Sequence, residues 1–340
     1  MKPAPFTYHR PRGVAEAARL LAELGEGVKV IAGGQSLVPL MNFRLAAPDH
    51  LVDVNGLAGL EHVRVGEDAV EVGATVRTAD LLRDPGVAAA HPLLTAATGW
   101  IAHPVVRNRG TVCGSLAHAD PAAELPAVLA LLDGGVEAVA WRAGALARRS
   151  LAAAELFVGP FETSLGPDEL VVAARFPRLA PGTGWAMDEL ARRHGDYALA
   201  GVALTVTADG RGAPTGGRAA YLSCAPTPVV VDLGPALAEA GGPPGDGGGA
   251  GDGGAAGDGG AAGDGGGAGD GGAPGDGGPA RDRAVYDLVA GALNPTGDIH
   301  ATADYRRHLA ATLTVRSLGP ALTRARASVG ARDRTGEVTP

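Results

Sequence analysis

Gly33-Gly34-Gln35-Ser36 follows Val28-Lys29-Val30-Ile31-Ala32, so a run of strand formers delivers the chain into two consecutive glycines with a hydroxyl residue close behind. Paired glycines adopt positive φ without steric cost, which lets successive backbone N–H groups turn toward one point and form a concave anion site. The chemistry of such a stretch is phosphate binding. Its spacing is not that of the G-x-G-x-x-G dinucleotide fingerprint, because no third glycine follows before Met41, and Pro39 is expected to interrupt any helix starting there. A tight turn between two buried elements would use the same residues.

A second Gly- and hydroxyl-rich segment runs Arg109-Gly110-Thr111-Val112-Cys113-Gly114-Ser115-Leu116-Ala117-His118-Ala119-Asp120-Pro121. It offers donors for phosphate and, in its terminal acid, an acceptor for ribose. Asp120 and Glu124 stand four residues apart at the mouth of an apolar helix expected over Ala122–Leu132. An acid there serves equally as a cap or a partner for the helix dipole. Other chemistries find little footing. The nine histidines make no H-x-x-x-H or H-E-x-x-H pair, no serine sits in G-x-S-x-G, and neither cysteine has a local histidine partner.

The elements that must position these segments follow from periodicity. Phe6–Tyr8 predicts an opening strand, and Val14, Ala17, Ala18, Leu21 and Leu24 recur at helical spacing up to Gly25, a plausible stop. Val28–Ile31 and Leu51–Val54 read as strands, Asn55-Gly56 as a turn, and His62–Val65 with Ala69–Gly73 as a hairpin. Thr78 is expected to cap a short helix ended by Pro85, and His91–Ala102 to form another helix leading into a loop over His103–Asp120. Strands near Val136–Trp141 and Glu169–Phe176 complete an α+β domain closed by Pro177 and Pro181. A second domain begins near Gly184, with antiparallel strands at Ala203–Thr207 and Arg218–Ser223, a helix from Pro235, and further helices at Arg281–Leu293 and Thr302–Ala327. Between them, Gly241–Gly278 is a six-residue repeat built on Gly-Asp-Gly-Gly, with almost no side chain able to bury surface, and is expected to be a disordered insertion.

Taken together, Ala32-Gly33-Gly34-Gln35-Ser36-Leu37, the Thr111–Pro121 segment and the later Gly195-Asp196-Tyr197-Ala198 resemble the FAD-binding medium subunit of the molybdenum hydroxylases. Within that group the chain looks most like the carbon monoxide dehydrogenase type. The resemblance runs from about Pro5 to about Ala327 with one insertion, and its motifs are specific as a set and weak singly. It implies an α+β fold: a two-subdomain PCMH-type FAD-binding domain over 1–178 and a smaller α+β C-terminal domain over 179–330, with antiparallel sheet and helices, interrupted at 241–280 and followed by a 331–340 tail. FAD is the implied cofactor. Its diphosphate would be met by Gly33, Gly34, Gln35 and Ser36, flanked by Ala32 and Leu37, and by Thr111, Gly114 and Ser115. Relatives read T-x-G-G-N at the second site. Here Cys113 replaces a glycine and Ser115 the asparagine, so a thiol side chain threatens to crowd the cofactor.

The same resemblance makes Glu124, with Asp120, an acceptor for the cofactor, sets Ile101, Ala102 and Val171 as apolar contacts to it, and puts Tyr197 near the flavin ring. By residue type alone these are a helix cap, core residues and an amphipathic tyrosine. It also implies partners: a molybdopterin-binding large subunit where substrate is hydroxylated, a small 2Fe-2S subunit that supplies electrons, and an external electron acceptor. Two alternatives belong to other classes, a free-standing FAD oxidoreductase with its own substrate and a non-catalytic scaffold subunit that has lost FAD.

Composition sets the outer bounds. The chain has 340 residues, 46% hydrophobic and 4% aromatic, enough for two domains with cores of Ala, Val and Leu. Two cysteines fall short of the four thiolates an iron–sulfur cluster takes. Six aspartates of the repeat carry most of the net charge of −8; without them 31 acids face 29 bases, leaving −2 and no basic face for nucleic acid. No signal-peptide core and no apolar run of about eighteen residues is present, so a cytoplasmic address is expected.

Overall fold

The computed structural model of the chain describes residues 2–239 and 278–335. Its first layer is a parallel sheet of β1 (Thr7–His9), β2 (Val28–Ile31) and β3 (His50–Asp53) in the order β1-β3-β2. Helix α1 (Val14–Leu24) crosses between the first two strands and buries Ala17, Ala18 and Leu21, one stripe at helical spacing. Gly25 ends it with φ 65°, in the left-handed region that glycine adopts without cost. After β2, α2 (Leu37–Asn42) forms in spite of Pro39. The sequence expectation fails because the proline falls in the first turn, where a missing N–H costs no intrahelical bond.

The hairpin β4 (Val63–Val65) and β5 (Ala69–Gly73) joins a second, antiparallel sheet, in which β5 is followed by the strands Glu169–Pro177, Gly135–Arg142 and Ala145–Ala152 in that spatial order. Between its strands run α3 (Thr78–Arg83), α4 (Pro85–Ala90), α5 (Pro92–Trp100), α6 (Pro104–Arg107), α7 (Val112–His118) and α8 (Glu124–Leu131). Two local expectations change. Arg77, not Thr78, holds the N-cap position of α3, and Pro85 opens a new helix capped by the Asp84 carboxylate. The segment 103–120, expected as a loop, is mostly the two short helices α6 and α7.

The remaining strands of that sheet are β6 (Gly135–Arg142), β7 (Ala145–Ala152) and β10 (Glu169–Pro177), with α9 (Ala153–Leu156) and the ribbon β8 (Phe157–Gly159)–β9 (Glu162–Thr163) between the last two. Sequence reading missed β7. It is an edge strand carrying Arg148, which pairs with Glu137 of the adjacent β6, and Arg149, which reaches past β6 to Glu169 of β10, so it lacks the alternation of a half-buried strand.

A third sheet is a meander of β11 (Thr183–Ala191), β12 (Ala198–Ala208), β13 (Pro214–Leu222) and β14 (Val229–Asp232). One face carries Ala200, Val202, Leu204 and Val206, packed with α11 (Pro279–Ala292), α12 (Ala303–Thr335) and α10 (Gly234–Glu239) into a second core. Its other face, with Ala203, Ala220 and Leu222, closes against the first core. Arg218 pairs with Asp133, and the Ser223 amide donates to the Pro121 carbonyl at 2.8 Å, which fixes the two layers together. The expected Gly/Asp insertion lies, as far as residue 277, outside the described residues, and Pro279 already belongs to α11. Helix α12 runs to Thr335, past the expected end at Ala327 and into the expected tail; residues 336–340 lie outside the described residues.

The close packing of β11 on α12 is set by Gly184, where an added Cβ would lie 1.8 Å from the Ala321 carbonyl oxygen and 2.5 Å from the Ala325 nitrogen. Gly184→Ala is therefore expected to destabilise the chain by about 3 kcal/mol, read as a lower denaturant midpoint. An unchanged midpoint would contradict this packing.

Candidate functional site

β2 and β3 are parallel neighbours with Ile31 paired to Asp53, so Ala32–Gly34 and Asn55 leave the sheet at the same edge. Ligands in such sheets bind beyond the carboxyl ends of the strands. Three hydrogen bonds lock the edge. Asn55 Nδ2 donates to the Ala32 carbonyl at 2.8 Å, and the Arg77 guanidinium donates to Asn55 Oδ1 at 2.6 Å and to the Arg109 carbonyl at 2.5 Å. Burial, and then the nearby Arg109 charge, pull the Arg77 pKa down, with Asp80 and Asp53 opposing.

The two glycine-bearing segments meet here. A Cβ on Gly33 would lie 2.4 Å from the Arg109 carbonyl oxygen and 2.7 Å from Gly110 Cα, so only a residue without a side chain allows this approach. Gly34 has φ +70°, the left-handed turn the paired glycines were expected to supply. Gly110 and Gly114 face Gln35 and Ala32, at 4.0 Å and 3.9 Å from their Cβ positions.

The open cleft so formed, about 440 Å³, is lined by Ile31–Gln35, by Val38 and Pro39 of α2, and by Tyr8, Asp53, Asn55 and Arg109. Arg109 is the one cation of that lining. Ser36 and Leu37 fall outside it, as the N-cap and first residue of α2. Asp53 is desolvated, but hydrogen bonds from the Tyr8 hydroxyl and from the Asn55 backbone and side-chain amides, with the Arg10 charge, hold its carboxyl below the ordinary value.

In the second segment Thr111 caps α7, its Oγ1 accepting from the Gly114 N–H at 3.1 Å, and it is buried. Ser115 is half-buried one residue on. Cys113 does not crowd the cleft: it is 2% exposed, with Sγ donating to the Val72 carbonyl at 3.5 Å, because the helical turn carries position 113 toward the core. Val171 is buried in β10 and belongs to the first core.

The other expected residues gather further along, where the third sheet meets the first domain. Ile101 and Ala102 follow α5; Ala102 is held at φ 41°, and Arg107 Nη1 donates to the carbonyls of Gly99, Ile101 and Ala102. The turn preceding β12 packs on this corner, since a Cβ on Gly195 would lie 2.4 Å from the His103 ring. It brings Tyr197, 69% exposed, beside Asp120 and Glu124. Desolvation of the phenol hydroxyl, the two negative charges and a hydrogen bond to Asp120 push its pKa up. Asp120 Oδ1 also accepts from the Ala122 N–H at 2.9 Å. Glu124, the first residue of α8, is pushed up to about 7 by burial, with Asp120 adding and Arg107 opposing.

Sequence reading missed Tyr8, Asp53, Asn55, Arg77 and Arg109. The signal for Asp53 and Asn55 was present, an acid and an amide closing the strand next to the cradle-bearing one; Arg77 had none, since only the fold brings it there. Both thiols, Cys113 and Cys224, are buried and pushed up to about 12 by that burial. The native chain at pH 8 is therefore expected to resist a disulfide-exchanging thiol reagent and to show two reactive thiols only in denaturant. Stoichiometric labelling of the native chain would contradict the inward placement of Cys113.

Known proteins share this fold. A sequence-family model described as the FAD binding domain in molybdopterin dehydrogenase matches residues 4–179. The chain is 47% identical over 212 residues to the 6-hydroxypseudooxynicotine dehydrogenase complex subunit alpha of Paenarthrobacter nicotinovorans, covering 62% of this chain and 70% of that one. It is 42% identical over 210 residues to the carbon monoxide dehydrogenase medium chain of Hydrogenophaga pseudoflava, covering 62% and 72%. Among solved structures, carbon monoxide dehydrogenase from Hydrogenophaga pseudoflava lacking the Mo-pyranopterin moiety superposes with a TM-score of 0.77 at 32% identity, over 95% of this chain and 99% of that one. A cleft walled by the close backbone approach that Gly33 allows, with the Arg109 cation beside the glycine turn and Asp53 as an acceptor for hydroxyls, fits a dinucleotide diphosphate and its ribose. The chain thus belongs to the FAD-binding domain family of the molybdopterin dehydrogenases, and FAD is its cofactor.

Proposed function

We propose that this chain is the electron-transfer subunit of a molybdenum hydroxylase complex, receiving electrons from 2Fe-2S clusters of a small partner and passing them to an external acceptor. One observation carries the reading: the Gly33–Gly34 turn lies in backbone contact with Arg109–Gly110, and Arg109 lines the same cleft as Ile31–Gln35, while Thr111, Gly114 and Ser115 stand behind that wall, outside the lining. Relatives named as the medium chain of a carbon monoxide dehydrogenase, the medium subunit of a nicotine 6-hydroxylase and subunit beta of a caffeine dehydrogenase support the assignment to a complex. No helix among the described residues is long and apolar enough to cross a membrane.

The chain's own groups divide the work. Backbone N–H groups of Gly33, Gly34, Gln35 and Ser36, with Arg109, would bind the diphosphate. Asp53, already fixed by Asn55, and the exposed Tyr8 ring stand at the same cleft, suited to the ribose and adenine end. Glu124 and Asp120 would accept hydrogen bonds from the cofactor, while Ile101, Ala102 and Tyr197 hold and shield its ring; Val171 acts from the core behind. FAD, when bound, supplies a redox centre that takes electrons singly and releases them in pairs. Molybdenum chemistry on the substrate then belongs to a large partner subunit, and with two cysteines in the whole chain the clusters belong to the small one.

Purified full-length chain is expected to bind FAD one to one, and its flavin absorbance to bleach when the reduced small partner is added, while no oxidisable donor alone reduces it. Turnover of a small donor by the isolated chain would favour a free-standing oxidoreductase. A preparation that stays colourless after incubation with FAD would favour a scaffold. Gly33→Ala inserts a methyl group into the Arg109–Gly110 backbone and is expected to weaken FAD binding about tenfold to a hundredfold by fluorescence titration, the equivalent of 1–3 kcal/mol of overpacking.

A further inference from the structure

Glu189 is used by nothing above. It lies on β11 opposite Gly201 of β12, on the face of the third sheet turned toward the first domain, where Trp185 and Met187 of the same strand pack against the first core. It is 8% exposed, and its Oε2 is buried with no hydrogen-bond partner among the described residues. Glycine at 201 makes the room for it: a Cβ there would stand 3.0 Å from the Glu189 Cβ and 2.9 Å from the Leu222 side chain. A buried carboxylate oxygen without a donor is costly as an anion and is accommodated as a neutral acid.

We propose that Glu189 stands behind Glu124 as a proton-carrying acid of the flavin site, so that FAD binding and retention of a proton on this carboxyl pair are linked. The proposal rests on the FAD reading above. The charged groups around it are few. Glu124 faces it from α8, with Asp120 and the Tyr197 hydroxyl beside Glu124 and Arg107 of α6 opposing them. Asp188 of its own strand is paired with Arg316 of α12 at 2.6 Å. Gly201, the residue facing it on β12, and helix α5 bring no titratable side chain.

Burial pushes the Glu189 carboxyl up to about 8, with the Glu124 and Asp188 charges adding, while Glu124 titrates at about 7. At neutral pH the pair therefore keeps at least one proton. A cofactor that covers this layer and excludes water from it favours the protonated pair further. Both folded values lie above the ordinary 4.5, so their stabilising contribution is complete below about pH 4.5 and is lost as pH rises through 7 and 8.

The test compares the full-length chain with Glu189→Gln, an isosteric neutral variant. In the absence of FAD the two should melt alike near pH 4.5, and the variant should melt higher at pH 9. With FAD, followed by quenching of its fluorescence between pH 6.5 and 9.5, the unaltered chain should weaken up to about tenfold per pH unit above 8, and the variant should lose that limb. Equal melting differences at both pH values, or the same binding slope in both chains, would overturn the proposal while leaving FAD binding intact. A chain that binds no FAD at any pH would overturn the functional reading and this linkage with it.

Discussion

The guanidinium of Arg77 ties three distant stretches of chain to one point. Its hydrogen bonds to Asn55 and to the Arg109 carbonyl, and Asn55's own bond to the Ala32 carbonyl, join the ends of two parallel strands to the segment that leads into α7. Breaking that triangle would leave Arg109 and Gly110 free to leave Gly33, and the cleft would lose one wall. The cost of holding a cation in a half-buried position, visible in its lowered pKa, is offset by acceptors that would otherwise lack a donor.

From this corner the rest of the architecture follows as support. The parallel sheet delivers the cradle and Asp53 to one edge, the antiparallel sheet backs α7 and α8, and the third sheet covers α8 and brings the Gly195–Tyr197 turn onto His103. The layer between the third sheet and the first core carries desolvated acids. There Glu124 and Glu189 are both displaced toward neutrality, and Tyr197 toward retention of its proton. Both ends of the site carry charge of both signs: Arg109 and Asp53 line the cradle, and Arg107 stands with Asp120 and Glu124 near the corner formed by Ile101, Ala102 and Tyr197. A cation beside glycine backbone at the cradle suits a diphosphate, and carboxyl oxygens at both ends suit hydroxyl and N–H donors.

Much of this was legible in residues alone. Strong periodicity placed α1, β2 and the β4–β5 hairpin, and the Gly33–Gly34 pair announced a left-handed turn that Gly34 adopts. Pro39 misled: it read as an interruption, whereas it sits in the first turn of a helix that it can enter without losing a bond. Pro85 does end α3 as expected, and it also opens α4, which the sequence reading did not foresee. Cys113 looked like an obstacle because a residue's direction on a one-turn helical start cannot be read without knowing where that helix points. Arg77, Arg109 and Glu189 escaped notice for a related reason. Their neighbours come from other segments, and no local pattern records a contact made by the fold.

The central claim is that both glycine-bearing segments grip the same dinucleotide. Amide hydrogen exchange of the full-length chain, measured with and without FAD, tests it most directly. The account predicts that FAD slows exchange together in 33–36 and in 111–115, with little change in the outer strand β7. Protection confined to one of the two segments, or absent from both while FAD is bound, would contradict it.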